Sequence, residues 1–352
     1  MLMLKKNKFF FPVLILLLVL MLVAAIGFGA VSIVPAEMLT SLKNFFQGKP
    51  PANIYEAVFL QIRLPRVLLC AITGAILSVS GVLMQGLFRN PIVEPGLIGT
   101  SSGAAFGASV VFVLASHMSV ALKNVLGPLL VPVFAFGGGL LATYVVYMFA
   151  RSSGRVSILS LLLTGLAVNA IGLSGMGFMS YIARDPQARS IIFWNLGTFS
   201  GATWTQVGIV GAVALAMFLM ALRYSRNLNA LLLGEAEATY LGVDADRFKR
   251  RVMIINTAMV SVATAFVGVI SFMGLIVPHV LRLLIGSDNR QLLPASMLMG
   301  ALLLTLADFG ARMLLAPAEI PIGIITSLVG APVFLLLLKK FDIINSKRSD
   351  DA

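Results

Sequence analysis

The chain has 352 residues, of which 59% are hydrophobic and 11% are charged, and its formal net charge is +12 at pH 7. Soluble domains carry about 25% charged residues, so this composition excludes an ordinary soluble globule. Apolar runs of about 18 to 25 residues can cross a hydrocarbon core about 30 Å thick, and runs this long must do so as helices. The sequence therefore predicts an all-α integral membrane protein with a single transmembrane domain over residues 1–352.

Ten apolar runs are predicted as transmembrane helices in chain order. Their bounds are residues 9–34, 67–88, 97–114, 125–149, 158–182, 207–222, 252–270, 272–285, 292–315 and 322–338. The first run could instead be a cleaved signal peptide, but it is longer than the usual apolar region of one. The eighth run is short and contains Pro278, His279 and Arg282, so a re-entrant or broken segment is an equal alternative to a full span.

Lysine and arginine collect on one side of this arrangement. They precede the first run, follow the fourth, stand at both ends of residues 223–251 between the sixth and seventh, and end the chain. Short cytoplasmic loops are enriched in these residues. Both termini and the loop 223–251 are therefore predicted to be cytoplasmic, and the positive charge indicates contact with anionic membrane lipid rather than with nucleic acid.

The sequence offers no candidate catalytic residue, metal site or bound cofactor. Cys70 is the only cysteine and lies inside the second run, and the only histidines are His117 and His279. Neither Ser102 with His279 nor any other pair has the spacing of a nucleophile and its base. A phosphate-binding G-x-x-x-x-G-K-[ST] motif is also missing, so we expect any ATP to be hydrolysed by another subunit.

Glycine is abundant, at 32 residues, and many of the glycines fall inside the predicted spans. Small residues let helix backbones approach closely in lipid. They could also leave room along a path for a bulky solute, and the sequence leaves both interpretations open.

Two arginines lie where a helix is predicted to begin on the outer side. Arg63 and Arg66 flank Pro65, which suits the first turn of a helix. Cations near the positive end of a helix dipole are mildly destabilising. We therefore expect an acidic group to offset them, either lipid headgroups or carboxylates of a protein partner.

A charged pair is predicted in the ninth run. Asp308 and Arg312 are four residues apart, so they share a helix face and can pair. An isolated charge in lipid costs at least about 2.5 to 3.5 kcal/mol, which makes a partner necessary. A proton relay would need further buried acids, but Glu94 and Glu319 stand beside prolines, where helices tend to break.

Residues 231–243 (LLLGEAEATYLGV) predict one short amphipathic helix closed by Gly242. Such a helix could lie on the membrane surface. It could also seat in a groove of a soluble partner.

Several segments together resemble a known family. They are residues 63–66 (RLPR), 81–91 (GVLMQGLFRNP), 94–99 (EPGLIG), 102–104 (SGA), 274–279 (GLIVPH), 319–323 (EIPIG) and 330–332 (GAP), with Arg282, Leu293, Pro294, Asp308 and Arg312. The pattern is similar to that of the FecCD-type, BtuC-like permeases, the membrane subunits of type II ABC importers for iron chelates, haem and vitamin B12. The resemblance covers about residues 55–340.

This resemblance implies an architecture and a set of partners. It implies ten spans with both ends in the cytoplasm, in the inner membrane of a bacterial cell. It also implies a dimer of two copies, two ATPase subunits that use ATP, and a periplasmic or lipid-anchored solute-binding protein.

The resemblance also implies roles for particular residues. Those expected to meet acidic groups of the binding protein are Arg63, Arg66 and Arg312. Those expected to couple to the ATPase are Leu233, Gly234, Glu235, Ala236 and Gly242. Those expected to form the cytoplasmic gate are Asn90 and Ile92. Those expected to line a path between the two copies are Gly172, Ser174, Gly175, Met176, Met179 and Ser180.

The substrate is less well defined than the family. Residues 189–198 and 201–204 look closest to haem-type members. A ferric siderophore and cobalamin are the alternatives. A more remote alternative is an ion-coupled secondary transporter, which would show inverted repeats and unpaired acids inside the membrane.

Overall fold

A computed structural model describes residues 3–29, 35–115, 119–152, 155–316 and 318–350, and most of these residues are helical. The α-helices are α1 Met3–Gly27, α2 Pro35–Phe46, α3 Ile54–Ala57, α4 Leu64–Phe88, α5 Thr100–Leu114, α6 Val120–Leu126, α7 Leu130–Ala150, α8 Ile158–Ile182, α9 Gln187–Asn195, α10 Trp204–Arg223, α11 Ser225–Leu233, α12 Glu235–Tyr240, α13 Ala245–Val267, α14 Met273–Ile285, α15 Asn289–Leu314 and α16 Ile322–Asp350. Strands β1 Arg151–Ser152 and β2 Arg155–Val156 pair antiparallel.

Each of the ten predicted runs contains one apolar helix. Within the described residues, seven helices are long and apolar enough to cross a membrane, and the shorter apolar helices are Thr100–Leu114, Met273–Ile285 and Ile322–Leu336. The predicted all-α membrane class is confirmed.

Several helix bounds differ from the predicted ones, and the helices of the first two runs are the examples that bear on the site. The first helix ends at Gly27 rather than at residue 34, and residues 30–34 lie outside the described part of the chain. The second helix begins earlier, because α3 and the wide π turn Val58–Arg63 run continuously into α4. The wide turn lies just before Pro65, which has no N–H to continue the regular bonding pattern.

The eighth run contains a short helix that follows a break in the backbone. Helix α14 has 13 residues, which gives a length of about 20 Å, less than the hydrocarbon core of about 30 Å. The preceding helix ends at Val267, and Gly268 leaves it with a φ of +84°. At the start of α14, the N–H of Phe272 donates to Glu94 Oε1 over 3.0 Å, which satisfies one of the free donors of that helix end.

Helix α4 lies at the centre of the bundle and contacts its neighbours through glycine. Gly74 meets the backbone of Gly300 in α15, and Gly81 meets the backbone of Gly274 in α14, so neither site has room for a Cβ. These glycines serve close packing, which was one of the two interpretations of the glycine content. The α4 and α13 spans are mostly buried, whereas α1, α8 and α10 are mostly exposed on the periphery.

The bundle has two distinct ends. We call the end that carries Arg66, Asp308 and Arg312 the arginine end, and the end that carries α11 and α12 the coupling end. The last carbonyl groups of α1 contact Arg63, so α1 begins at the coupling end and finishes at the arginine end. Ile322, at the start of α16, lines a cavity with Arg66, so α16 runs in the opposite direction, towards the coupling end.

Candidate docking and coupling sites

Arg66 is held by two carboxylates from distant parts of the chain. Its Nε and Nη2 atoms donate to Asp308 Oδ2 and Oδ1 at 3.3 and 2.9 Å. Its Nη1 atom donates to both carboxylate oxygens of Glu319 at 2.7 and 2.9 Å. Two-pronged contacts of this kind fix a guanidinium in position as well as compensating its charge.

Arg312 lies beside the same aspartate, which confirms the predicted pair on the α15 face. Its Nε atom is 3.2 Å from Asp308 Oδ2. That N–H is not aligned with the oxygen for a hydrogen bond, so the contact is ionic. The Nη2 atom donates to the carbonyl oxygen of Ala25, near the end of α1, over 3.0 Å.

Arg63 contacts the last turn of α1. Its Nη1 atom donates to the carbonyl oxygens of Ile26 and Gly27 at 2.6 and 3.0 Å. The carbonyl end of a helix is the negative end of its dipole, so this position stabilises a cation. The prediction that Arg63 and Arg66 lie at the positive end of the second helix is wrong, because that helical segment already begins at Ile54.

The arginine cluster, defined as Arg63, Arg66, Arg312, Asp308 and Glu319, is largely buried. Arg63 is 6% exposed and Arg66 is 9% exposed. Three cations and two carboxylates leave one net positive charge. The expected acidic offset therefore comes mainly from the chain's own carboxylates rather than from lipid.

Glu319 is the accessible member of this cluster. Its side chain is 41% exposed, and it lines, with Arg66 and Asp308, a cavity of about 330 Å³ that opens at the arginine end. Sequence reasoning missed this contact, since Arg66 and Glu319 are 253 residues apart and no local pattern joins them. The only local signal was Pro321, which predicts a break in the helix near Glu319.

The coupling end carries two short helices where the sequence predicted one. Gly234 separates α11 from α12 with a φ of +141°, a conformation that side chains rarely adopt. The prediction of a single amphipathic helix over residues 231–243 is therefore wrong. Gly242 does follow α12 with a φ of +81°, as predicted for a closing glycine.

A buried lysine holds α12 against the base of α13. Lys249 is 2% exposed. Its Nζ atom donates to Glu235 Oε2 over 2.6 Å and to the carbonyl oxygen of Val156 over 2.9 Å. A second carboxylate, Asp246 Oδ1, lies 3.7 Å away.

Helix α11 is attached to the start of α15 by a polar cluster. The Nδ2 atom of Asn229 donates to Asp288 Oδ1 over 2.7 Å, and Asn229 Oδ1 accepts from the backbone N–H of Asn289 over 2.9 Å. The hydrogen bond from the Arg290 side chain, aided by that from Asn229, lowers the pKa of Asp288 to about 2.

The residues predicted to couple to an ATPase divide into two groups. Leu233, Ala236 and Gly242 are exposed, whereas Gly234 is buried and Glu235 turns towards Lys249. Nearby, Tyr240 is 91% exposed. The coupling end therefore presents an apolar surface beside a carboxylate cluster.

The predicted gate residues form a compact turn after α4. Arg89 ends that helix with a φ of 51°, and Asn90 Oδ1 accepts from the backbone N–H of Ile92 over 3.1 Å. Ile92 is exposed at the coupling end.

The predicted path residues on α8 do not share one face. Gly172 packs against Ser102, and Gly175 packs against Phe106, so both face α5. Ser174 is exposed and lies on the opposite side of the helix, about 200° from Gly172. The other predicted path residues are partly buried: Met176, Met179 and Ser180.

Comparison with known proteins agrees with this architecture. The FecCD transport family matches residues 16–340. The "Hemin transport system permease protein HmuU" of Yersinia pestis is 42% identical over 281 residues, which cover 80% of this chain and 83% of that protein. The "Cobalamin import system permease protein BtuC" of Halobacterium salinarum is 39% identical over 282 residues, which cover 80% of this chain and 73% of that protein.

A solved structure has the same fold. It is a metal-chelate type ABC transporter in an inward-facing conformation, with a TM-score of 0.81 and 33% identity over 95% of this chain and 99% of that one. The structural match spans nearly all of both chains. Membership of an ABC permease family argues against the alternative of an ion-coupled secondary transporter. The chain is thus a multi-pass membrane protein that belongs to the FecCD transport family, the permease subunits of ABC importers.

Proposed function

We propose that this chain forms the path for an iron chelate in an importer of the bacterial inner membrane. Haem is the first candidate chelate, and a ferric siderophore is the next. Two copies pair around the path, two ATPase subunits bind the coupling end, and a periplasmic or lipid-anchored solute-binding protein binds the arginine end. Both termini then lie in the cytoplasm. Support comes from the relative named for hemin transport and from the metal-chelate type structure.

Cobalamin is the second candidate substrate. A relative of similar identity is named for cobalamin import. Both haem and cobalamin are large metal-bearing macrocycles, so one wide path with soft and small side chains suits either.

The observation that carries the proposal is the charge of residues 227–246, which we call the coupling segment. Residues 227–246 contain no lysine or arginine and four carboxylates, in a chain with a net charge of +12. An anionic membrane surface repels such a segment. Its exposed apolar residues, Leu233, Tyr240 and Leu241, therefore suit a groove of a soluble ATPase subunit better than the lipid surface.

At the arginine end, the binding protein presents carboxylates to Arg63, Arg66 and Arg312. The net positive charge of the cluster attracts an acidic surface. Arg66 is already occupied by Glu319 on its accessible side, so an incoming carboxylate takes the place of Glu319.

Inside the membrane, Asn90 and Ile92 close the path at the coupling end until the ATPase subunits move. The exposed side of α8, which carries Ser174, faces the second copy across the path. Met176, Met179 and Ser180 border it, and Gly172 sets how closely α8 packs on α5.

Reconstituted uptake tests the proposal. The chain is placed in proteoliposomes with its ATPase subunit and its binding protein, and radiolabelled haemin, ferric siderophore and cobalamin are offered in parallel. We expect uptake of haemin that needs ATP. Uptake of cobalamin alone would transfer the assignment to the second candidate, and uptake driven by an ion gradient without the ATPase subunit would overturn the proposal.

A further inference from the structure

We propose that Lys249 is a positioning residue that transmits movement of α12 to the β1–β2 hairpin, and through it to the ends of α7 and α8. The inference rests on the proposed binding of an ATPase subunit at the coupling end. It assigns a role to a lysine that the sequence did not single out.

The first step is the burial of Lys249. An ammonium group removed from water must keep its donors satisfied, or the fold loses stability. Lys249 achieves this with one carboxylate of α12, Glu235, and one backbone carbonyl of β2, Val156. A single side chain therefore contacts the coupling segment, α13 and the hairpin.

The second step is the attachment of the hairpin to α13. Asp246 Oδ1 accepts from the backbone N–H of Val156 over 3.0 Å, while Lys249 donates to the carbonyl oxygen of the same residue over 2.9 Å. Both polar groups of one β2 residue are thus bound by side chains of α13. The hairpin has to follow any displacement of the base of that helix.

The third step connects the hairpin to the membrane helices. β1 begins at Arg151, directly after α7 ends at Ala150. Ser157 follows β2 and caps α8 by accepting from the backbone N–H of Ser160 over 3.3 Å. A shift of Val156 therefore reaches the first turn of α8, the helix that borders the proposed path.

Glu235→Ala separates this role from a role in folding. Glu235 is partly exposed, so removing its side chain leaves Lys249 bound to Val156 and near Asp246 and breaks only the link to α12. Lys249→Met breaks all three contacts. Arg247→Met is the matched control. Arg247 lies on the same turn of α13 but is exposed, and among the described residues its side chain forms an ion pair with Asp244 alone.

The readout is a cysteine in place of Arg151, which is exposed at the start of β1. The natural Cys70 is fully buried and stays unreactive. The labelling rate with a maleimide is measured in proteoliposomes with the ATPase subunit, with and without a non-hydrolysable ATP analogue. We expect the analogue to change the rate about fivefold in the parent and in Arg247→Met, a size typical of coupling between sites.

In Glu235→Ala and in Lys249→Met, the change should shrink below about twofold while the ATPase subunit remains bound. A full response in Glu235→Ala overturns the inference, as does a parent that binds the ATPase subunit but shows no response at position 151. A parent that binds no ATPase subunit at all refutes the proposed function itself.

Discussion

The arginine end and the coupling end both bury cations, but with opposite residual charge. At the arginine end, Arg66 and Arg312 pair with Asp308 and Glu319. Arg63 binds carbonyl oxygens of α1, so the cluster keeps one positive charge. At the coupling end, Lys249 lies near Glu235 and Asp246, which leaves one negative charge. If partners bind as proposed, the residual charge of the two clusters favours an acidic surface at the arginine end and a basic surface at the coupling end.

The two clusters also differ in what they join. The arginine cluster joins α4, α15 and the end of α1 inside the bundle, so it is part of the packed core. The lysine cluster joins a surface segment to a hairpin, and its carboxylates are partly exposed. We therefore expect damage to the first to appear as lost stability and damage to the second as lost coupling.

The largest effect is expected from Asp308→Asn. This change leaves Arg66 and Arg312 facing a neutral group in a buried site, and breaking a buried ion pair costs about 3 to 5 kcal/mol. Thermal unfolding in detergent measures the loss, with Asp185→Asn as the control, because Asp185 and its partner Arg189 are both exposed. Equal unfolding temperatures for the two variants would contradict a structural role for the arginine cluster.

A smaller effect is expected from Arg63→Met. The variant loses two charged hydrogen bonds to α1, and about 2 kcal/mol is a typical cost. Proteolysis within the first 30 residues should become faster as α1 detaches, whereas Arg189→Met should leave the rate unchanged. Unaltered proteolysis of Arg63→Met would show that other contacts fix α1.

Glu319→Gln is expected to strengthen binding of the solute-binding protein. The change removes the ion pair with Arg66, so Glu319 competes less with an incoming carboxylate, and it raises the net charge of the cluster from +1 to +2. A partly exposed pair contributes only about 1 kcal/mol, so the affinity should rise about fivefold. Binding to the reconstituted permease is measured at low and high salt, with Glu37→Gln as the control on the same side. Weaker binding would show that Glu319 holds Arg66 in place rather than competing with the partner.

The smallest effect is expected from Asp288→Asn, and it should depend on pH. The pKa of Asp288 lies at about 2 in the fold, below its ordinary value of 3.8. The charged form therefore adds stability above about pH 4, and this contribution is lost as the pH falls towards 2. The gap in unfolding temperature between parent and variant should close over that range, and a gap that is independent of pH would contradict the assignment.

Local sequence rules predicted the features that depend on neighbours along the chain. The spans follow from apolar length, and the Asp308–Arg312 pair follows from the spacing of one helical turn. The closing role of Gly242 follows from its place after an amphipathic run. Each of these can be recognised within one continuous stretch of sequence.

The remaining features depend on contacts between distant residues. Glu319 and Arg66 are brought together by α15 and the turn after it, and Lys249 meets Val156 from 93 residues away. The break at Gly234 was missed because the leucines before it and the alanines after it continue a helical pattern. Only the tertiary position of Glu235 against Lys249 shows why α12 turns away from α11.

The glycine contacts of α4 have a mechanical consequence. Gly74 with Gly300, and Gly81 with Gly274, place three helix backbones in direct contact, and helices packed so closely cannot slide without first separating. We therefore expect helices α4, α14 and α15 to move as one rigid unit, and the displacements of a transport cycle to fall on the exposed helices α8 and α10. Cross-linking two exposed helices should arrest the cycle, whereas cross-links within the rigid unit should leave turnover unaffected.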